Sequence, residues 1–80
     1  MVPIKIKRFV KLTAEKNKDI NEKELIKALK LSLEAKENGA ECYKCGKTIW
    51  AAGSAITGMN MCFRCITLET DDIKDYEVIR

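Results

Sequence analysis

The chain has 80 residues, which is enough for one small domain with a modest hydrophobic core. At this size apolar burial leaves a net stability of only about 3–5 kcal/mol, so an additional stabilising element is expected. Hydrophobic residues make up 46% of the chain and charged residues 34%. This composition excludes a disordered chain and a membrane span, and the absence of histidine argues against an enzyme.

The net charge of +3 is unevenly distributed along the chain. Residues 1–40 hold ten basic and six acidic side chains, whereas residues 41–80 hold five basic and six acidic ones. This distribution is mildly basic and lacks the concentrated positive patch of a dedicated nucleic-acid-binding protein. The start of the chain mixes Lys and Arg with apolar residues and lacks the apolar core of a secretory signal, so we expect a cytoplasmic protein without a membrane partner.

The N-terminal segment, residues 1–40, is predicted to contain one strand and one helix. Residues 4–12 read IKIKRFVKL, and the alternation of Ile4, Ile6 and Val10 with lysines predicts an edge strand with one face toward the core. The acidic segment 75–79 is the expected pairing partner of this basic strand.

An amphipathic helix is predicted to come next, because residues 21–39 carry both a start and a stop signal. Asn21 can cap the first turn, with Glu24 three residues later as in a capping box. Apolar residues from Leu25 to Ala35 recur at spacings of three and four and predict a buried stripe. Asn38-Gly39 is typical of the left-handed residue that ends a helix.

Four cysteines are the candidate metal ligands in residues 41–80. Cys42 and Cys45 form one C-x2-C pair, and Cys62 and Cys65 form a second pair after sixteen intervening residues. This spacing predicts a tetrahedral four-sulfur site for one structural Zn²⁺, with no open position for a substrate. Iron and disulfides are the alternatives; disulfides require an oxidising compartment. Structural zinc contributes roughly 10–16 kcal/mol of apparent binding free energy in small peptides, so the metal would supply the missing stability.

The two cysteine pairs have different residues on their C-terminal side. Gly46 comes directly after Cys45, as in a glycine knuckle, whereas the second pair runs into ITLE without a glycine. A second pair in the first turn of a helix is typical of a treble clef. We therefore expect an α+β domain in which a knuckle, a β-hairpin over about 48–61 and a short helix over about 62–71 form a four-cysteine zinc module.

Residues 42–68 carry a family resemblance. The strings CYKCGKTI and AITGMNMCFRC resemble the C-terminal zinc finger of the DksA/TraR family of RNA-polymerase-binding regulators. The same segment is similar to the zinc-binding N-terminal domain of the ClpX unfoldase. Both resemblances imply a zinc treble clef whose ligands are the four cysteines, and a regulatory or adaptor role on a larger machine.

Two functions compete at this point. The uncharged block from Thr48 to Phe63 suggests docking on a protein partner or on a second copy, and it could equally pack against the helix stripe. The docking candidates in this block are Trp50, Ile56, Met59 and Met61. The alternative is nucleic-acid binding through aromatic and basic residues near the cysteines. Those charged-partner candidates are Tyr43, Lys44, Lys47, Phe63 and Arg64.

Overall fold

The fold is α+β, as the sequence predicts. A computed structural model describes residues 1–69 and 75–80, and in these ranges four helices lie between two short strands. In these ranges the elements are β1 Val2–Lys5, α1 Ile6–Lys16, α2 Glu22–Glu37, α3 Ala51–Thr57, α4 Phe63–Thr67 and β2 Tyr76–Ile79.

The predicted strand over residues 4–12 is wrong for most of its length. The strand β1 covers only Val2–Lys5, and the helix α1 begins at Ile6. Phe9 and Val10 follow Ile6 at spacings of three and four residues, so one helical face carries all three side chains. The helix also places Phe9 beside the buried Val10, whereas a strand would place Phe9 among the lysines. Packing of this apolar face therefore outweighs the local strand pattern.

The N-terminal and C-terminal strands pair, as expected, but over a shorter length and without charge pairing. β1 and β2 form a parallel two-stranded sheet in which Ile4 lies opposite Val78 and Lys5 lies opposite Ile79. Ile4 and Val78 are both buried. The other lysines of segment 4–12 lie in α1, so apolar burial rather than attraction between basic and acidic strands holds the sheet together.

The predicted helix over residues 21–39 is confirmed. Helix α2 spans Glu22–Glu37, and the Asn21 side chain accepts a hydrogen bond from the Glu24 amide at 3.2 Å. Gly39 adopts a φ of +87°, the left-handed conformation that the Asn-Gly pair predicts. Leu25, Leu29 and Leu33 are buried along one face, which confirms the predicted stripe.

The predicted hairpin over residues 48–61 is wrong, because helix α3 occupies its centre. Gly58 has a φ of +76° and ends α3. Gly53 lies within the helix, where the Trp50 ring and the Ile66 side chain occupy the space that a Cβ would need. Both glycines serve a helix, so the treble-clef arrangement lacks its hairpin in the described residues.

The hydrophobic core joins the two halves of the chain. Ala51 and Ala52 of α3 pack in the same buried cluster as the leucines of α2, together with Ile4, Val10 and Val78. Much of the uncharged block is therefore core. The short alanine side chains let α3 approach α2 closely, which positions the cysteine segments on either side of α3.

A buried carboxylate closes the contact between the sheet and α3. Glu77 lies on β2 with 8% exposure, and its oxygens accept hydrogen bonds from the backbone amides of Ala51 at 2.9 Å and Ala52 at 3.0 Å. These amides belong to the first turn of α3, whose N-cap residue Trp50 provides no side-chain cap. Glu77 thus replaces the missing cap from a distant part of the sequence.

Candidate metal centre

The four cysteines come together as predicted. One sulfur atom from each of Cys42, Cys45, Cys62 and Cys65 lies within 4.8 Å of all the others, although twenty residues separate the first from the third. Four sulfurs at about 2.3 Å from a tetrahedral Zn²⁺ would be about 3.8 Å apart, so the cluster is close to the size that a metal ion requires. The residues present therefore fit a four-sulfur metal site.

The cysteines are free thiols in this arrangement. The Cys45 and Cys62 sulfurs are 3.3 Å apart, well beyond the 2.03–2.05 Å of a disulfide bond. No disulfide bond joins these four cysteines, and their arrangement suits the binding of a cation.

The first pair lies on a tight knuckle. The Gly46 amide donates to the Cys42 carbonyl at 2.9 Å, and Gly46 has a φ of +75°. A side chain at this φ would be strained, which explains the glycine that comes after Cys45. The Cys42 amide donates to the Lys47 carbonyl at 2.6 Å and closes the loop, so Cys42 is buried while Cys45 remains exposed.

The second pair opens a helix, as predicted. Cys62 is the N-cap residue of α4, and Cys65 lies one turn further along. The helix ends at Thr67, because Leu68 has a left-handed φ of 63°. The predicted end near Asp71 falls among residues 70–74, outside the described residues.

Two of the four thiols have a lower pKa in this cluster than a free cysteine has. Burial opposes ionisation of Cys42, but backbone hydrogen bonds from Cys62, Cys45 and Lys44 outweigh it and lower the Cys42 pKa to about 6. Burial opposes ionisation of Cys62 as well, but hydrogen bonds from the Cys65 backbone and the Cys45 side chain outweigh it and lower the Cys62 pKa.

The other two thiols hold their protons more tightly than a free cysteine does. Hydrogen bonds with the Cys62 and Cys42 sulfurs raise the Cys65 pKa to about 12. A hydrogen bond from the Lys47 backbone favours the Cys45 thiolate, but hydrogen bonding to the Cys62 sulfur, partial desolvation and hydrogen bonding to the Cys42 sulfur together outweigh it, so the Cys45 pKa is raised.

This division has a simple chemical meaning. In the described cluster, backbone amides and neighbouring thiols favour the thiolates of Cys42 and Cys62, whereas Cys45 and Cys65 hold their protons more tightly than free cysteines do. A divalent cation would replace those protons, since the thiolate is the form of cysteine that binds metals.

Ser54 ties the second cysteine pair to the core. Its hydroxyl donates to the Met61 carbonyl at 3.1 Å and accepts from the Met61 amide at 3.1 Å, and Ser54 is only 3% exposed. The Trp50 amide also donates to the Met61 carbonyl, at 2.9 Å. The residue before Cys62 is therefore held by α3, which is in turn packed on α2.

The docking candidates divide into two buried or half-buried residues and two exposed residues. Met61 is buried with Cys42 and Cys62, and Trp50 packs edge-to-face on Phe63 with 4.9 Å between the ring centroids. Ile56 and Met59 are 60% and 49% exposed.

Among the charged-partner candidates, Phe63 is buried and has no free face on which to stack a base. The remaining four are exposed around the cysteines. They are Tyr43, Lys44, Lys47 and Arg64.

Glu77, Ser54 and Gly53 support the site, although no sequence motif assigns them this role. A lone acidic residue between Tyr76 and Val78 in a short apolar strand is the one signal that points to Glu77. Ser54 and Gly53 lie in the segment for which the sequence predicts a hairpin, so their roles depend on α3.

Two findings concern the whole chain. None of the helices within residues 1–69 and 75–80 has the length and apolar content needed to cross a lipid bilayer. Searches with family models, against curated proteins and against solved structures found no match to this chain, so the two family resemblances remain predictions.

Proposed function

We propose that the four cysteines bind one structural Zn²⁺ and that the protein is a small adaptor or regulator that docks on a protein partner. The cysteine geometry supports the metal: four sulfurs within 4.8 Å of one another fill a tetrahedral shell and leave no position open for a substrate. Zinc would offset half of the charge of the four thiolates, which leaves a formal charge of −2, and would hold the knuckle against α4.

The observation that carries the docking role is that several large apolar side chains are exposed in the half of the chain that carries the cysteines. We call Tyr43, Ile56 and Met59 the knuckle patch; they are 59%, 60% and 49% exposed. The Tyr43 amide donates to the Asn60 carbonyl at 3.0 Å, so the first knuckle lies against the turn that carries Met59. Aromatic and methionine side chains are enriched at protein interfaces, and small proteins seldom expose several together without a partner.

The metal is tested by elemental analysis and by cobalt substitution. Protein purified under reducing conditions should contain one equivalent of zinc, and Co²⁺ in its place should give the sulfur-to-metal charge-transfer and visible bands of a tetrahedral thiolate site. A Cys45→Ser variant should lose the charge-transfer intensity of one thiolate. Less than one equivalent of metal, or an octahedral Co²⁺ spectrum, would contradict the proposal.

The docking role is tested with zinc-loaded protein as bait in an extract of the native host. The matched variant Ile56→Ser/Met59→Ser changes only exposed side chains, so it should keep its zinc and its circular dichroism. A partner retained by the wild type and lost with this variant would support the role. Equal recovery with both proteins would mean that the knuckle patch is not the docking surface.

Nucleic-acid binding is the second candidate, and one observation favours it. Lys44, Lys47 and Arg64 are exposed around the cysteines, with Tyr43 beside them as a stacking surface. A salt titration separates the two functions: phosphate contacts give a steep fall of affinity with salt, whereas an apolar docking patch does not.

A further inference from the structure

A second surface lies on the N-terminal half of the protein, and none of the four cysteines lines it. It is a groove of about 540 Å³ with an aliphatic floor and a cationic rim. Ile6 of α1, Ile26 of α2 and Ile79 of β2 form the floor. The charged lining residues are Lys5, Lys7, Lys30, Arg80 and Glu34.

The rim carries positive charge that the carboxylates within residues 1–69 and 75–80 do not pair with. No carboxylate among the described residues forms an ion pair with Lys5, Lys7 or Lys30. Arg80 is paired with Glu37 at 2.6 Å, outside the lining, which leaves Glu34 as the acidic group of the groove. The first turn of α1 contains no acidic side chain, so the positive end of that helix adds to the potential of the lysines.

The floor limits the kind of ligand. A groove of this volume has room for several side chains, which is more than a single inorganic anion fills. Ile79 is 42% exposed and Ile6 and Ile26 are half-buried, so an apolar ligand would remove further aliphatic surface from water. The lining contains no aromatic ring on which a nucleic-acid base would stack.

We propose that this groove binds an acidic peptide segment of a partner protein, with aliphatic side chains on the isoleucine floor and carboxylates at Lys5, Lys7 and Lys30. Charge complementarity and the aliphatic floor together select this occupant over a nucleic acid. The groove shares no lining residue with the four cysteines or with the knuckle patch. Peptide binding in the groove can therefore be disproved without affecting the proposed zinc site or the proposed docking role, and the reverse also holds.

The test uses the full zinc-loaded chain and a short fluorescein-labelled peptide that alternates Asp or Glu with Leu. Two control peptides replace either the acidic residues by Asn and Gln or the leucines by Ser. Both controls should bind at least about tenfold more weakly, because each removes one of the two complementary features. Equal binding of the serine peptide would overturn the proposal, since the groove would then act only as a collector of anions.

Protein variants locate the binding. The triple variant Lys5→Gln/Lys7→Gln/Lys30→Gln should weaken the peptide at least about tenfold. The matched triple Lys11→Gln/Lys18→Gln/Lys23→Gln removes the same charge from exposed positions outside the groove and should change affinity by less than about threefold. Equal loss of affinity in both triple variants would overturn the proposal, as would an oligouridylate of equal charge that binds more tightly than the peptide.

NMR maps the binding site on the wild-type protein. The amide chemical shifts that change on peptide addition should centre on residues 5–7, 26–30 and 79–80. Changes centred on the knuckle patch would also overturn the proposal.

Discussion

The Lys36 ammonium group and the Glu77 carboxylate form an ion pair at 2.7 Å across forty-one positions of the sequence. Lys36 comes from the last turn of α2, and Glu77 comes from β2. The same carboxylate caps the first turn of α3, so one side chain joins the C-terminal strand to both helices. Because Glu77 is buried and Lys36 is only partly exposed, the pair is shielded from solvent on the carboxylate side.

Glu77→Ala should therefore destabilise the protein strongly. The substitution removes the cap of α3 and leaves Lys36 without its partner, and we expect the free energy of unfolding to fall by about 2–4 kcal/mol. Urea unfolding followed by circular dichroism measures this loss. The control is Glu37→Gln, which removes the neighbouring pair with Arg80; that pair is exposed, so the midpoint should hardly move. Similar losses in the two variants would mean that Glu77 acts only as another surface charge.

Gly53→Ala should destabilise the protein although alanine is the better helix former. A Cβ at this position would lie 2.7 Å from Ile66 Cδ1 and 2.8 Å from Trp50 Cζ3, so the Trp50 ring must move. We expect a loss of about 1–3 kcal/mol in unfolding experiments, opposite in sign to the gain of about 1 kcal/mol that helix propensity alone predicts. Fluorescence of Trp50, which is the single tryptophan, should shift at the same time.

The matched control for Gly53 is Ala55→Gly in the same helix. Ala55 is half-buried on α3, and its change to glycine should cost about 1 kcal/mol through backbone entropy, with a smaller loss from its methyl contact with the core. A stabilised Gly53→Ala variant would contradict the close approach of Trp50 and Ile66.

Ser54→Ala should weaken both the fold and the metal site. The Met61 amide would lose its hydrogen-bond acceptor in a buried position, which costs about 1–3 kcal/mol. Because Met61 precedes Cys62, we also expect zinc to transfer more readily to a chromophoric chelator. Thr57→Ala, at an exposed position near the end of the same helix, is the control and should leave both measurements close to the wild-type values.

Metal binding should release protons and weaken in acid. The Cys65 pKa is raised to about 12 and the Cys45 pKa is raised, so both groups keep their protons at pH 7 until a cation displaces them. The Cys42 pKa is lowered to about 6, so its thiolate persists in the folded chain until the pH falls through that value. Zinc affinity should therefore fall steadily from pH 8 to pH 6, and fall further below it.

Calorimetry at pH 7 in buffers of different ionisation enthalpy counts the protons. A metal-free chain that keeps the described cluster should release at most about three protons for each zinc ion, because the Cys42 thiol, with a pKa of about 6, is already largely ionised at pH 7. Release of nearly four protons would show that the metal-free chain loses the arrangement, because unperturbed thiols are protonated at this pH. Release of fewer than about one would contradict thiolate ligation.

Several features of this protein depend on local sequence alone. Helix α2 was predictable because its start at Asn21 and its stop at Asn38-Gly39 act within one turn of the helix ends. The four-cysteine cluster was predictable because a C-x2-C pair brings two sulfurs together whatever surrounds it, and two such pairs have the spacing to share one ion. The start of α4 at the second pair has the same local origin.

Tertiary packing decided the remainder. Residues 6–12 and 51–57 satisfy more than one local pattern, and each becomes a helix because its apolar side chains then reach the core built around Leu29. Glu77 finds its partners in α2 and α3, a choice that only the three-dimensional arrangement makes, since its strand lies far from both helices in sequence. Local sequence rules depend on contacts within about one turn, whereas burial depends on which distant surfaces meet. Helix α3, the close packing around Gly53 and the cap that Glu77 provides therefore became visible only in the folded structure.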